Sequence, residues 1–288
     1  MESLTGLASP IVIGLLLGGL YVVIALGLSL VFGVLKVINV AHGDYVVLGG
    51  YFAFVLLTKW GLDPVLTIVV GAPLFFCLGF LIERFLLHRA VRLSADAALI
   101  ICFGLSLIIQ NGIQLVWTPY QRQLTTSYFM ESWHVGPVYI PLAYVLDFAA
   151  ALVVMVVLHT FLSRTYLGQA ITAASQDRQT AELMGINPGR VYPIAFGIAL
   201  ALAAIAGVFL GLTFPFTPTS GPTLLVIAFG VVILGGLGNM VGTFLGGMIF
   251  GLSQTLGDHF LGPTGQQLVP FVMVLVVLTI RPQGLFGK

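Results

Sequence analysis

The sequence predicts an all-α integral membrane protein, a polytopic helical bundle of about eight or nine transmembrane segments. Three observations predict it. Of 288 residues, 59% are hydrophobic and only 7% are charged, where a soluble domain carries roughly 25% charged residues. The mean hydropathy is +1.10. The apolar residues fall in runs long enough to cross about 30 Å of hydrocarbon, and residues 191–257 contain no Lys, Arg, Asp or Glu. The 35 glycines and 14 prolines sit inside those runs, as membrane helices tolerate. This composition excludes a soluble enzyme and a disordered chain. The net charge of +1 offers no basic face for nucleic acid.

The first run is 11–35. The residues before it carry Glu2 and no basic residue, so the n-region of a signal peptide is missing and the run is expected to remain a span. The second, 45–58, is short and follows a polar prelude of Asn39, His42 and Asp44. The third, fourth and fifth are 64–82, 97–117 and 140–163, the last interrupted by Asp147. Two breaks divide 191–257. One is PFTPTSGP at 215–222, and the other is GGLGN at 235–239. Proline and glycine clusters end helices, which leaves 191–214, 222–234 and 240–257. The last run is 267–280. The shorter pieces are expected to be broken helices or re-entrant segments. No polar stretch is long enough to fold alone, so residues 1–288 are expected to form one transmembrane domain. Its two main loops are 118–139 and 164–190.

The basic residues orient the bundle. Lys36, Arg84, Arg89, Arg92, Arg164, Arg178, Arg190, Arg281 and Lys288 fall on one side, and only Lys59 and Arg122 fall on the other. The excess of Lys and Arg marks the cytoplasmic side. The N-terminus is then expected outside, the C-terminus inside, and the 164–190 loop inside.

Little catalytic chemistry is present. The phosphate-cradling pattern GxxxxGK[ST] is absent, and so are HExxH and GxSxG. Cys77 and Cys102 lie far apart in apolar runs and the five histidines are scattered, so neither a metal nor a catalytic constellation is expected. The polar residues inside the spans are the candidates for a solute path. Asn39, His42, Gly43 and Asp44 precede a short, glycine-interrupted span, the pattern that unwound backbone beside a cavity produces. Gln110, Asn111 and Gln114 form a polar patch in the fourth run, readable as a pathway or as interhelical hydrogen bonding. Asn239 lies in the glycine-rich segment 235–247, where close helix packing is the competing reading. Asp147 is either a group lining a wet cavity or one near the outer interface.

The loop 164–190 holds a second set. Ser175 is expected to cap a short helix. Asp177 suits its positive end, and Gly185 suits the C′ position beyond its last turn. Asn187-Pro188 can start the next helix. Gln176, Arg178 and Glu182 are polar, while Ala181, Leu183 and Met184 are small or apolar and could dock into a partner's groove.

The run QDRQTAELMGINPGRVYPIAFGIALALAAIAGVFLG resembles the permeases of ATP-binding-cassette importers for branched-chain amino acids, of the LivH type. Three further stretches are similar to the same family: INVAHGDYVVLGGY, VILGGLGNMVGTFLGGMIFGL and RPQGLFGK, in family order. The resemblance implies a type II-like importer core in a bacterial inner membrane, with a second permease of the LivM type. It also implies two ATPase subunits carrying ATP and magnesium, a periplasmic solute-binding protein, and no cofactor on this chain. By the same resemblance the helix at 175–185 is the coupling helix, with Gln176, Asp177, Arg178 and Glu182 as polar contacts. Relatives of this family carry branched-chain amino acids, other amino acids, urea or short amides, and amino acids are favoured. The alternatives are a urea or amide permease, or a stand-alone channel or secondary transporter. A water-type pore would need two Asn-Pro-Ala motifs, and this chain has a single Asn-Pro, in a polar loop.

Overall fold

The computed structural model describes residues 2–126, 131–135 and 138–287. Among the described residues, seven helices are long and apolar enough to cross a membrane. They are α1 (Glu2–Leu35), α3 (Pro64–Ile82), α5 (Ala95–Trp117), α6 (Leu142–Arg164), α9 (Pro188–Thr213), α11 (Met240–Leu261) and α12 (Pro263–Ile280). Two further apolar helices, α2 (His42–Trp60) and α10 (Gly221–Gly235), stand among them. All nine expected runs therefore fall on helices, the fifth starting two residues later than expected, at Leu142. Between the spans lie α4 (His88–Leu93), α7 (Tyr166–Gln176), α8 (Arg178–Leu183) and a hairpin of β1 (Ser132–Val135) with β2 (Val138–Pro141). The hairpin was not expected. It closes the outer loop, whose residues 127–130 and 136–137 lie outside the described residues.

Helix starts follow local chemistry. Asp63 accepts from the Val65 amide ahead of Pro64 at N1, and Ser94 accepts from Ala97. Asn187 accepts from Gly189 ahead of Pro188, and Asn239 accepts from Gly242. Each cap satisfies an amide that has no partner inside its own helix. α3 runs into a π-helical turn, Glu83–Leu87. The wider turn stacks residues five apart, and His88 Nδ1 lies 3.2 Å from Glu83 Oε1.

α1 and α9 are buried along most of their length, whereas α3, α5, α6 and α12 present most of their surface outward. α1 packs on α11, and α9 packs on α2 and α3. The α1–α11 seam is made of small residues: Gly14 and Gly18 lie against Gly251 and Gly247. Gly242 and Gly246 lie against Gly235 of α10. The glycine-rich segment after 235 is thus a close-packing surface, where dispersion contacts hold helices that lipid cannot drive together.

α2 corrects the sequence reading. It has 19 residues and begins at His42, so His42, Gly43 and Asp44 form its first turn instead of a loop before a shorter span. It also begins deep in the bundle. His42 Nε2 lies 2.8 Å from the carbonyl of Ile24, about 16 Å before the end of α1 at the helical rise. α10 begins at a similar place. After α9 ends, residues 214–220 turn back, and the backbone of Phe216 pairs with Arg122 in both directions at 2.9 Å. α10 has 15 residues and extends only about 22 Å. Its first residue, Gly221, meets the first turn of α2.

Candidate functional site

The starts of α2 and α10 touch because neither has a side chain at the crossing. A Cβ on Gly43 would lie 2.0 Å from the Gly221 carbonyl oxygen, and one on Gly221 would lie 1.9 Å from Asp44 Oδ1. Two positive helix ends therefore converge on one carboxyl group. Asp44 is 1% exposed. Its Oδ2 accepts from the Ser106 hydroxyl at 2.5 Å, and the Gln110 amide donates to that hydroxyl at 3.0 Å. Asp44 Oδ1 has no hydrogen-bond partner. Asn39 is equally buried, and neither atom of its amide is bonded. The carbonyl of Ile24 can only accept, so His42 carries its proton on Nε2 and donates.

The structure links Asp44 to Gln110 through Ser106 and seats Gly43 on Gly221 of α10, while the His42 ring reaches Ile24 of α1 and Asn39 lies just before the helix. Asn111 points away: it is exposed, and its amide donates to the Leu107 carbonyl of its own helix at 2.8 Å. Asn239 is elsewhere. It caps α11, and its Nδ2 donates to the Phe286 carbonyl at 2.8 Å. Its interior polarity thus belongs to a helix start. Asp147 is fully buried on α6, and its Oδ2 accepts from Thr213 on α9 at 2.7 Å. It ties the second turn of α6 to the last residue of α9.

The loop 164–190 folds into two helices. Ser175 is not the cap. It lies inside α7, donating to the Thr172 carbonyl at 2.7 Å. Asp177 caps α8 instead, accepting from the amides of Gln179 and Thr180 at 2.9 and 3.2 Å and from the Thr180 hydroxyl at 2.6 Å. The Thr180 hydroxyl first, then the amides of Thr180 and Gln179, hold this carboxyl below the usual range. Arg178 opens α8 and Glu182 lies within it. Gly185 closes it with φ +85°. The Ile186 amide reaches the Ala181 carbonyl and the Gly185 amide reaches the Glu182 carbonyl, both at 3.0 Å. This is the Schellman pattern at a left-handed C′ residue. Leu183 and Met184 are 87% and 79% exposed.

Beside these helices is a cavity of about 910 Å³, lined by Ser29, Gly33, His159, Gln176, Gly238 and Asn239 among others. A second, of about 440 Å³, is apolar and lies among Leu48, Phe52, Leu74, Phe75 and Trp117. Ser106 is a site residue that was not singled out from the sequence. Its spacing of four before Gln110 was the available signal.

Residues 11–278 match the model of a family described as the permease component of branched-chain amino acid transport systems. The chain is 32% identical to the high-affinity branched-chain amino acid permease protein BraD of Pseudomonas aeruginosa, over 96% of this chain and 94% of that one. It is 32% identical to the LivH permease of Escherichia coli over the same shares. It is 25% identical to the LivM permease of that organism, over 92% of this chain and 67% of that one. No solved structure matches.

Proposed function

This chain belongs to the family of permease components of branched-chain amino acid transport systems, and from that premise we propose how it works. It is a multi-pass transport subunit and not an enzyme. It forms half of the path by which branched-chain amino acids cross a bacterial inner membrane. The other half is a second permease of the LivM type, since LivM relatives match the same stretch of sequence. A periplasmic binding protein delivers the solute. Two ATPase subunits, holding ATP and magnesium, supply the energy.

The carrying observation is the family match across 11–278. Two features support the division of labour. α8 presents Leu183 and Met184 at the tip of a capped helix. A rigid, exposed apolar pair fits a groove on a peripheral ATPase, and the caps keep it from fraying as motion passes through it. Gln176, Asp177, Arg178 and Glu182 surround that tip in sequence. The second feature is the meeting of α2 and α10, two helix starts inside the bundle. Broken helices of this kind mark solute paths. Asn39, His42, Gly43, Asp44 and Gln110 line the path, with the N-terminus periplasmic and the C-terminus cytoplasmic.

The test is reconstitution of the complex in proteoliposomes. Leucine uptake should require ATP and the binding protein together. Robust leucine flux through this chain alone, without either, would reject the reading.

A further inference from the structure

We propose that the seam between α2 and α5 is the solute's recognition point, where the Asp44 carboxylate receives the ammonium group. This rests on the amino-acid-importer reading above and assigns residues to it.

The first support is unsatisfied polarity. Among the described residues, six buried side-chain atoms without a hydrogen-bond partner fall between 39 and 51: both amide atoms of Asn39, His42 Nδ1, Asp44 Oδ1, and the hydroxyls of Tyr45 and Tyr51. Buried polar groups are almost always paired, and an orphan signals a missing water, ion or ligand. Three of the six, His42 Nδ1, Asp44 Oδ1 and the Tyr45 hydroxyl, lie in the first turn of α2, which marks that turn as the place for an occupant. An ammonium group has three donors and no acceptor. Asp44 Oδ1, Asn39 Oδ1 and the Tyr45 hydroxyl are free acceptors of that segment.

The second support is a polar ladder leading to it. Ser106, Gln110 and Gln114 stand four residues apart on one stripe of α5. Ser106 bonds Asp44, Gln110 bonds Ser106, and Gln114 is exposed one turn nearer the end of the helix. Ser106 lies about 16 Å along the axis from Trp117. α5 is also the least buried of the long spans. Its open face nonetheless carries the exposed amides Asn111 and Gln114, which a lipid-facing stripe avoids. The rest of that face is apolar, as on α3, α6 and α12: Ile100, Phe103, Ile108 and Leu115 are exposed around the two amides. The third support is the field. The positive ends of α2 and α10 meet at Asp44, an arrangement that favours negative charge there, and one carboxyl oxygen is without a partner.

The experiment uses the assembled complex in nanodiscs without binding protein, and reads displacement of tritiated leucine. Isopentylamine keeps the ammonium group and lacks the carboxylate, and 4-methylpentanoate is the reverse. The amine should compete at least about tenfold better, the ratio expected for a hydrogen bond to a charged partner. In Asp44→Asn that ratio should fall toward one, whereas Asp44→Glu should keep it at a lower leucine affinity. A general structural lesion would weaken both competitors alike. A second measurement leaves Asp44 intact: maleimide labelling of Gln110→Cys should be slowed by leucine and isopentylamine and not by 4-methylpentanoate. Equal competition in the wild type, an unchanged ratio in Asp44→Asn, no leucine binding, or no protection at Gln110→Cys would each overturn the proposal. Failure of the importer reading shows separately, as wild-type uptake independent of ATP and binding protein.

Discussion

Gly185 and Asp177 show how much one residue can fix. Gly185 sits at φ +85° with open space around it, so a side chain there meets strain in the backbone alone. A β-branched residue costs about 1–2 kcal/mol in the left-handed region, too little to unfold the bundle and enough to shift Ile186 and Asn187. Gly185→Val should assemble normally and lose most ATP-driven uptake, while Gly185→Asn, which tolerates that region, should lose less. The measurement is uptake normalised to complex recovered, and equal uptake in all three would remove the cap from the coupling mechanism. Asp177 acts at the other end of α8. Its carboxyl is held below the usual range, so its capping contribution is present above that range and fades as pH falls through the lowered value. Hydrogen exchange of the α8 amides, corrected for intrinsic rates, should therefore stay constant from neutral pH down to the ordinary carboxylate range. Asp177→Ala should raise it throughout that window, and Asp177→Asn, which still accepts, should raise it less. These local features were legible because caps depend on a few neighbours. Ser175 was misread because its alternative was tertiary: α7 continues through it while Ala170, Ile171 and Ala174 stay buried on one face.

At the scale of the element, the same limit explains α2. Its first turn holds a histidine, a glycine and an aspartate, poor company for a helix start in an apolar bundle. What satisfies them is remote in sequence: the Ile24 carbonyl for His42 and Ser106 for Asp44. No local pattern reports such partners, so the run was read as beginning at residue 45. The nine runs themselves were legible because length and hydropathy suffice for a span. The crossing of α2 and α10 also yields a contrast between glycines. Gly43→Ala would place a methyl 2.0 Å from a backbone oxygen of α10. Backbone cannot step aside as a side chain can, and overpacking of this kind costs about 1–3 kcal/mol or more. Gly112 on α5 has nothing within 4 Å of the same position, and replacing a mid-helix glycine by alanine gains up to about 1 kcal/mol. Gly43→Ala should lower the thermal midpoint of the detergent-solubilised chain and Gly112→Ala should hold or raise it. A tolerated Gly43→Ala would mean that the two helix starts do not touch.

At the scale of the whole molecule, sidedness joins the two sites. The cavity beside α7 is lined by Gly33 near the end of α1, His159 near the end of α6, Gly238 before α11 and Gly287 in the tail. His88 lies against Gly189 at the start of α9. These are the ends that carry Lys36, Arg89, Arg164 and Arg190, so the fold gathers the basic residues at one face, as alternating spans require. Lys59 ends α2 and Arg122 pairs with Phe216, both at the other face. By the positive-inside rule the face with α8 is expected to be cytoplasmic, where an ATPase would meet Leu183 and Met184. The polar ladder on α5 runs from Asp44 toward the opposite face, where a binding protein would deliver solute. The expected outcome is tested with single cysteines in a chain whose Cys77 and Cys102 are replaced. Thr180→Cys should react with a membrane-impermeant maleimide only after the inner face is opened, and Lys59→Cys should react in cells whose outer membrane alone is permeabilised. Labelling of Thr180→Cys from the periplasm would invert the bundle. It would take the ATPase away from α8 and leave the ladder on α5 facing the wrong compartment for an importer.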